Sequence, residues 1–240
     1  NDGTGRFSAA IEIGDLTGWL VKAVDMNGDA HLDLVVQDVA FANAKAAVND
    51  GAGNFGAPVD LELGRGRDFE VADLTGDGLL DLLWVGGTSV TLFPGDDILS
   101  FPWENRQTIA TGMRSPRTLE LADFTGDGIL DIVVGEGSDR YVDFFTGLGG
   151  GQFSRNFRLA DIRDVIDTAS GDFDGDGDVD VSFFTRRSFS DPASVVWIEN
   201  DGLGTFSAPQ LATNTIEEGT PLLAADLDGD LDLDLITAND

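Results

Sequence analysis

The sequence predicts an all-β fold built from five copies of one four-stranded antiparallel unit, and three observations carry that prediction. An Asp-rich loop recurs five times at near-constant spacing. Short apolar runs of strand character bracket each copy, and an Asn-Asp-Gly turn signature returns between copies. Units of nearly equal length, each burying its faces against its neighbours, are the pattern of a β-propeller.

The loop has the form D-x-[DNT]-G-D-x-x-x-D. Its copies run from Asp25 to Asp33, Asp73 to Asp81, Asp123 to Asp131, Asp172 to Asp180 and Asp226 to Asp234, with starts 48, 50, 49 and 54 residues apart. Upstream stand runs such as Leu20-Val21-Lys22-Ala23-Val24 and Leu119-Glu120-Leu121-Ala122. Downstream stand Leu82-Leu83-Trp84-Val85, Ile132-Val133-Val134 and Val181-Ser182-Phe183-Phe184. Four- to five-residue apolar runs closed by Gly and Asp read as strands.

The second signature is Asn49-Asp50-Gly51 followed by Phe55-Gly56-Ala57-Pro58, and again Asn200-Asp201-Gly202 followed by Phe206-Ser207-Ala208-Pro209. Asn1-Asp2-Gly3 with Phe7 repeats it, and Thr146-Gly147 through Phe153 is a weaker copy. Asn-Asp-Gly between apolar runs marks a tight turn, because Gly accepts the positive φ that such a turn needs. The Phe reads as a core anchor. Each module thus has a strand into the Asp loop, one out of it, one before Asn-Asp-Gly and one after the Phe. Residues 1–240 read as one propeller domain with repeats of about 49 residues. A row of separate hairpins is the competing arrangement, and it leaves edges exposed.

Carboxylates at loop positions 1, 5 and 9 converge when the chain turns tightly, and position 3 adds another oxygen. By analogy with other calcium loops, the backbone carbonyl at position 7 adds one more. The candidate ligands are therefore Asp25, Asn27, Asp29, His31 and Asp33; Asp73, Thr75, Asp77, Leu79 and Asp81; Asp123, Thr125, Asp127, Ile129 and Asp131; Asp172, Asp174, Asp176, Asp178 and Asp180; and Asp226, Asp228, Asp230, Asp232 and Asp234. An all-oxygen set of this size suits Ca²⁺ better than Mg²⁺, which keeps its waters. Strand-like flanks and the missing position-12 Glu distinguish the loop from an EF-hand. Without an ion, each loop crowds three or four carboxylates at an electrostatic cost. About five calcium ions are expected, one per loop. Loops four and five carry four side-chain carboxylates and should bind more tightly than loops two and three, which carry Thr at position 3.

The formal net charge is -30, from 44 acidic and 14 basic residues. That excludes nucleic acid as a partner, since there is no basic surface for phosphates, and argues against anionic membranes. Five Ca²⁺ offset ten of those charges; an acidic, salt-tolerant exterior accounts for the rest. There is no Cys, so neither disulfides nor thiolate metal sites contribute. No apolar stretch is long enough to span a bilayer. The chain opens on Asn1-Asp2-Gly3 without a leader or initiator Met, which reads as a mature or trimmed product.

Phe55-Gly56-Ala57-Pro58 and the five Asp loops make the chain resemble the FG-GAP/VCBS-type repeat family, which includes integrin α-chain propellers, fungal propeller lectins and secreted bacterial repeat proteins. The resemblance implies a calcium-bearing β-propeller at the cell surface or outside it, used for adhesion or carbohydrate binding, and sometimes attached to or forming an enzyme. Integrin-like propellers have seven blades, whereas five modules are present here. Five blades closing on themselves is the favoured arrangement. A segment of a longer propeller, or completion by another chain or another copy, stays open.

No catalytic constellation is legible. His31 is the only His and sits at loop position 7, where its backbone matters and its ring is expected to face solvent. Gly147 to Gly151 lacks the Lys-Ser/Thr of a phosphate loop. Paired acids for glycoside hydrolysis have no distinguishing mark among so many carboxylates. Candidate ligand contacts are Trp19, Arg67 and Arg117, each six residues before an Asp loop, with Trp103 and Trp197 as possible sugar-stacking rings. Trp84 reads as core. The expectation is a calcium-stabilised extracellular module that recognises carbohydrate or protein. The alternatives are a structural repeat segment of a larger adhesin and a polysaccharide-degrading propeller enzyme.

Overall fold

The computed structural model describes residues 12–38, 43–96, 99–138, 141–160, 162–186, 193–216, 222–230 and 232–237. The chain divides into two compact units, Asn1–Gly64 and Arg65–Asp240. The first holds one antiparallel sheet, ordered β1(Gly18–Val24), β2(Asp33–Asp38), β3(Ala44–Ala47), β4(Val59–Asp60).

The second unit holds three more four-stranded sheets and one two-stranded sheet among the described residues. Sheet two is β5(Asp68–Ala72), β6(Asp81–Gly86), β7(Ser89–Phe93), β8(Gln107–Thr111). Sheet three is β9(Pro116–Ala122), β10(Asp131–Glu136), β11(Tyr141–Gly149), β12(Gln152–Ala160). Sheet four is β13(Val165–Gly171), β14(Asp180–Thr185), β15(Ala193–Ile198), β16(Gln210–Ile216), and sheet five is β17(Leu222–Ala225), β18(Asp234–Thr237). Every neighbouring pair is antiparallel and consecutive in the chain, so each sheet is a simple meander.

The register repeats from sheet to sheet. Val24 pairs with Asp33, Ala72 with Asp81, Ala122 with Asp131, Gly171 with Asp180 and Ala225 with Asp234. The Asp at loop position 9 is therefore the first residue of the second strand in all five sheets, and each Asp loop is the hairpin connection between first and second strands.

The second strands β6, β10 and β14 are buried along their whole length. Alternate side chains point to opposite faces, and in the second unit both faces of a middle strand are covered. Ile132 and Val134 pack toward sheet two with Leu83, Val85 and Leu92, while Val133 packs toward sheet four with Val181 and Phe183. Ala169, Phe184 and Val195 of sheet four meet Leu222 of sheet five in a third cluster. This two-sided burial explains why the downstream runs read as continuous apolar stretches rather than alternating ones. The first strands β5, β9, β13 and β17 lie side by side in that order.

The Phe anchors behave as their composition suggests. Phe206 lies 5.8 Å from Phe124 and 5.2 Å from Phe144, edge-on to both, tying the last strand region of sheet four to sheet three. Trp84 is 3% exposed and stacks on Phe69 at 6.0 Å.

Candidate metal centres

A recurring set of local hydrogen bonds shapes the Asp loops. Position 1 accepts backbone N–H groups from position 4: Gly28, Gly76, Gly175 and Gly229 donate to Asp25, Asp73, Asp172 and Asp226 at 2.6 to 2.8 Å. Its second oxygen accepts from position 6, namely Ala30, Gly78, Gly128 and Gly177. Position 5 accepts from position 7 in every loop: His31, Leu79, Ile129, Asp178 and Asp232 donate to Asp29, Asp77, Asp127, Asp176 and Asp230. The position-4 glycines lie between φ 69° and 82°, a region closed to most side chains. The chain thus wraps around its own carboxylates, which point inward because the loop's N–H groups hold them there.

Position 9 does something the sequence does not advertise. Asp33, Asp81, Asp131 and Asp180 are fully buried. One oxygen of each accepts from its own loop: Met26, Leu74, Thr125 and Phe173 donate at 2.8 to 3.0 Å. The other oxygen accepts from the end of the third strand or the turn after it: Asn49, Gly95, Gly147 and Asn200 donate at 2.7 to 3.0 Å. Position 9 is therefore a clasp between the Asp loop and the end of the third strand of the same module, where modules one and four carry Asn-Asp-Gly. Burial raises the pKa of Asp131 and of Asp180 despite these donors. Asp234 is exposed, and it accepts from Leu227 at 3.0 Å.

The turn reaches onward to the preceding module. The Asn200 side chain donates to the Phe124 carbonyl at 2.9 Å and to the Val179 carbonyl at 3.1 Å. Where sheet three has Gly147 in place of Asn, the Gly151 N–H donates to the matching Leu74 carbonyl at 2.8 Å. Asp50 and Asp201 hold the turn itself, and the N–H bonds they accept keep both carboxyls below their ordinary pKa. Between loops two and three lies a cleft of about 210 Å³ whose lining includes Asp73, Ile129, Gly149 and Phe153.

Two loops bring three carboxylates into one place. Oxygens of Asp172, Asp174 and Asp176 lie within 4.8 Å of one another, and so do those of Asp226, Asp228 and Asp234. In loops one to three, where position 3 is Asn27, Thr75 or Thr125, no three acidic side chains converge that closely among the described residues. Crowding shows in loop four: burial, then Asp176, Asp172, Asp201 and Asp174, raise the pKa of Asp178. A cation would relieve that repulsion.

The donor set fits a hard divalent ion. Each carboxylate oxygen that accepts one N–H keeps a lone pair. The Thr75 and Thr125 hydroxyls are buried without a well-formed hydrogen bond, as oxygens reserved for another partner would be, although Thr125 lies beside Asp131. The His31 side chain is exposed, as expected, and it has neighbours as well. Its Nδ1 is 3.1 Å from Asp29, and its ring covers Gly51, where a Cβ would come within 2.5 Å of Nε2. Asp178 covers Gly202 in the same way at 2.4 Å, so the turn glycine is needed for close approach as well as for φ.

The candidate ligand contacts are dispersed. Trp19 on β1 is 71% exposed. Trp103, before β8, is 50% exposed, with the Arg106 guanidinium 4.1 Å from its ring centroid and Phe93 at 5.7 Å. Trp197 on β15 is half-buried, edge-on to Phe173. Arg67 precedes β5 and Arg117 is the second residue of β9, and these two are close enough to feel each other's charge.

Comparison with known proteins follows the same repeat. The FG-GAP-like repeat family matches residues 73–134, 123–183 and 172–237, each span running from one Asp loop through the next. No curated protein sequence matches the chain. Among solved structures, an Agrocybe aegerita lectin with specific recognition of non-reducing terminal N-acetylglucosamine is similar at 23% identity and TM-score 0.57, covering 80% of this chain and 51% of its own. The Tc holotoxin pore of Photorhabdus luminescens is similar at 20% identity and TM-score 0.53, covering 96% of this chain and 11% of its own. The V. cholerae biofilm matrix protein Bap1 is less similar, at 16% identity and TM-score 0.42, covering 84% of this chain and 40% of its own. The chain therefore spans about half of the lectin and a small part of the toxin.

Proposed function

Because this chain belongs to the FG-GAP-like repeat family, we propose that it is a calcium-stabilised extracellular binding module whose five modules are blades of one β-propeller across residues 1–240. The observation that carries the metal part is the convergence of Asp172, Asp174 and Asp176 in a loop whose bond from the position-7 N–H to the position-5 carboxylate recurs in the other four. Positions 1, 3, 5 and 9 of each loop supply side-chain oxygens and position 7 its carbonyl, for about five ions in all.

Calcium, when bound, supplies charge neutralisation between strands rather than a reaction step. The protein's own groups transmit its effect. A loop tightened around position 1 also holds position 9, which holds the turn after the third strand, which in turn holds the loop of the preceding module. The ions are structural in this reading, and recognition falls to other surfaces, with Trp19, Trp103, Trp197, Arg67 and Arg117 as the contacts to test. Carbohydrate is the first ligand class to try, since a lectin of similar fold recognises terminal N-acetylglucosamine.

Native mass spectrometry with and without calcium, paired with thermal melts in calcium and in EDTA, tests the reading. About five bound ions and a melting temperature lowered by chelation are expected. An unchanged melt would refute it. The small share of the Photorhabdus chain that is matched favours a second reading, a structural segment of a larger adhesin. Retention on immobilised polysaccharides in calcium separates the two.

A further inference from the structure

In a chain with 44 acidic and 14 basic residues, an arginine near the surface has carboxylates within easy reach. Arg155 and Arg158 illustrate this, since both donate to Asp143. Arg67 and Arg117 are different. Neither side chain forms a hydrogen bond or ion pair among the described residues.

The carboxylates closest along the strands are committed elsewhere. Asp68 accepts from Phe69 and, across the boundary between sheets, from Leu119, both at 2.8 Å. Asp167 accepts from Thr168 at 3.0 Å and from Leu222 at 2.7 Å in the same pattern. These acids staple one first strand to the next, and neither closes to a salt bridge with the arginines.

The arginines are also placed. Arg67 directly precedes β5, and its N–H donates to the Val85 carbonyl at 2.7 Å. Arg117 lies near the start of the adjacent β9. Its stem runs along Gly137, where a Cβ would come within 3.1 Å of Cδ and 3.6 Å of Nη1. A glycine there opens the slot that the side chain occupies. Burial, then the Arg67 guanidinium, lowers the Arg117 pKa, while Asp167 and Asp164 act the other way. Both arginines remain cationic at neutral pH. These two neighbouring cations make no close ion pair among the described residues, and both stand at the strand ends away from the Asp loops.

We infer that Arg67 and Arg117 together receive a single carboxylate of a sugar acid, of the uronate type, at the starts of β5 and β9. Two planar donor forks suit one carboxylate. A net charge of -30 repels polyanions, which restricts the ligand to an isolated negative group. Asp164, close enough to raise the Arg117 pKa, is an acceptor for hydroxyl donors and rejects a second anion. One carboxylate amid several hydroxyls is the chemistry of a uronic acid. The inference rests on the carbohydrate-binding reading above but is independent of the metal loops.

The test uses the intact chain in calcium. Methyl galacturonide, which carries one carboxylate, its methyl ester and a short peptide with a free C-terminal carboxylate are titrated by calorimetry. The galacturonide is expected to bind, with esterification and each of Arg67→Gln and Arg117→Gln weakening it by about tenfold or more. Arg117→Lys, which keeps charge without the fork, should retain part of the affinity, and melting temperatures of the variants confirm that they fold. Equal binding of acid and ester, undiminished binding by both Gln variants, or no galacturonide binding at millimolar concentration overturns the inference. Tighter binding of the peptide overturns the saccharide assignment. If neutral N-acetylglucosamine oligosaccharides are retained by wild type and variants alike, the general carbohydrate reading survives and only this site falls. If no saccharide binds in calcium, both fall.

Discussion

Replacing Asn200 with Ala isolates the link between one module's turn and the preceding module's loop. Asn200 is 0% exposed, and its side-chain N–H groups serve the Phe124 and Val179 carbonyls at 2.9 and 3.1 Å. Truncation strands both acceptors away from water, at about 1–3 kcal/mol each. The Asn200 Oδ1 is itself buried without a partner, so its removal offsets about 1 kcal/mol of that cost. A net loss of about 1–5 kcal/mol follows, or roughly 2–20 °C in melting temperature for a protein of this size. Urea denaturation in calcium measures it, with Asn49→Ala as the internal comparison. The Asn49 side chain donates only to Leu32 at 3.1 Å in an exposed setting, so about 1 kcal/mol is expected there. If Asn200→Ala costs no more than Asn49→Ala, the turn is not a clasp between modules, and the reasoning fails.

Gly202→Ala should destabilise by more than Gly28→Ala. Both glycines have positive φ, 70° and 74°, but only at Gly202 does a Cβ meet a neighbour, Asp178 Oδ1 at 2.4 Å. Gly28→Ala should cost about 1 kcal/mol from backbone strain alone, and equal midpoints in urea for the two variants would contradict the close-approach argument. Asp174→Ser should remove one of the two tightest ions from a calcium titration and leave loop five and the weaker sites in place, whereas an undiminished high-affinity stoichiometry would contradict the ranking of loops. Glu136 is fully buried, and burial followed by the neighbouring Asp143 raises its pKa, with the Arg114 N–H acting against the shift. A folded value above the unfolded one means that the native state binds the proton more readily. The associated stability is complete below the ordinary glutamate range and is lost as pH rises through the folded value. Glu136→Gln should therefore raise the urea midpoint at neutral pH, with the gain fading on acidification. A lower midpoint at pH 7 would reverse the assignment.

Much of the architecture was legible because it depends on local chemistry repeated in phase. Asp73 to Asp81 and its four counterparts announce hairpin connections by their Asp and Gly spacing, and each is one. The buried runs Leu82 to Val85 and Ile132 to Val134 announce strands covered on both faces. The position-3 carboxylates of loops four and five marked the two loops where acids converge. Less was legible at position 9, where Asp33 and Asp180 look like any other ligand but spend both oxygens on backbone donors sixteen and twenty residues away as well as nearby. The His31 ring shows the same limit, since its contact is with Gly51, twenty residues on.

By itself the sequence determined the repeat, the strand pattern, the place of the Asp loops and the acidic excess. These follow from residue type and spacing within a single hairpin. Only the tertiary structure decided that the position-9 carboxylates clasp loop to turn, that Asn200 reaches the loop of the module before it, and that Arg67 and Arg117 stand close enough to feel each other's charge. Each of those relations joins residues on different strands or modules. Hydrogen bonding and charge act over a few ångströms of space, whatever the distance along the chain, so spacing in sequence leaves them undetermined until the sheets are packed.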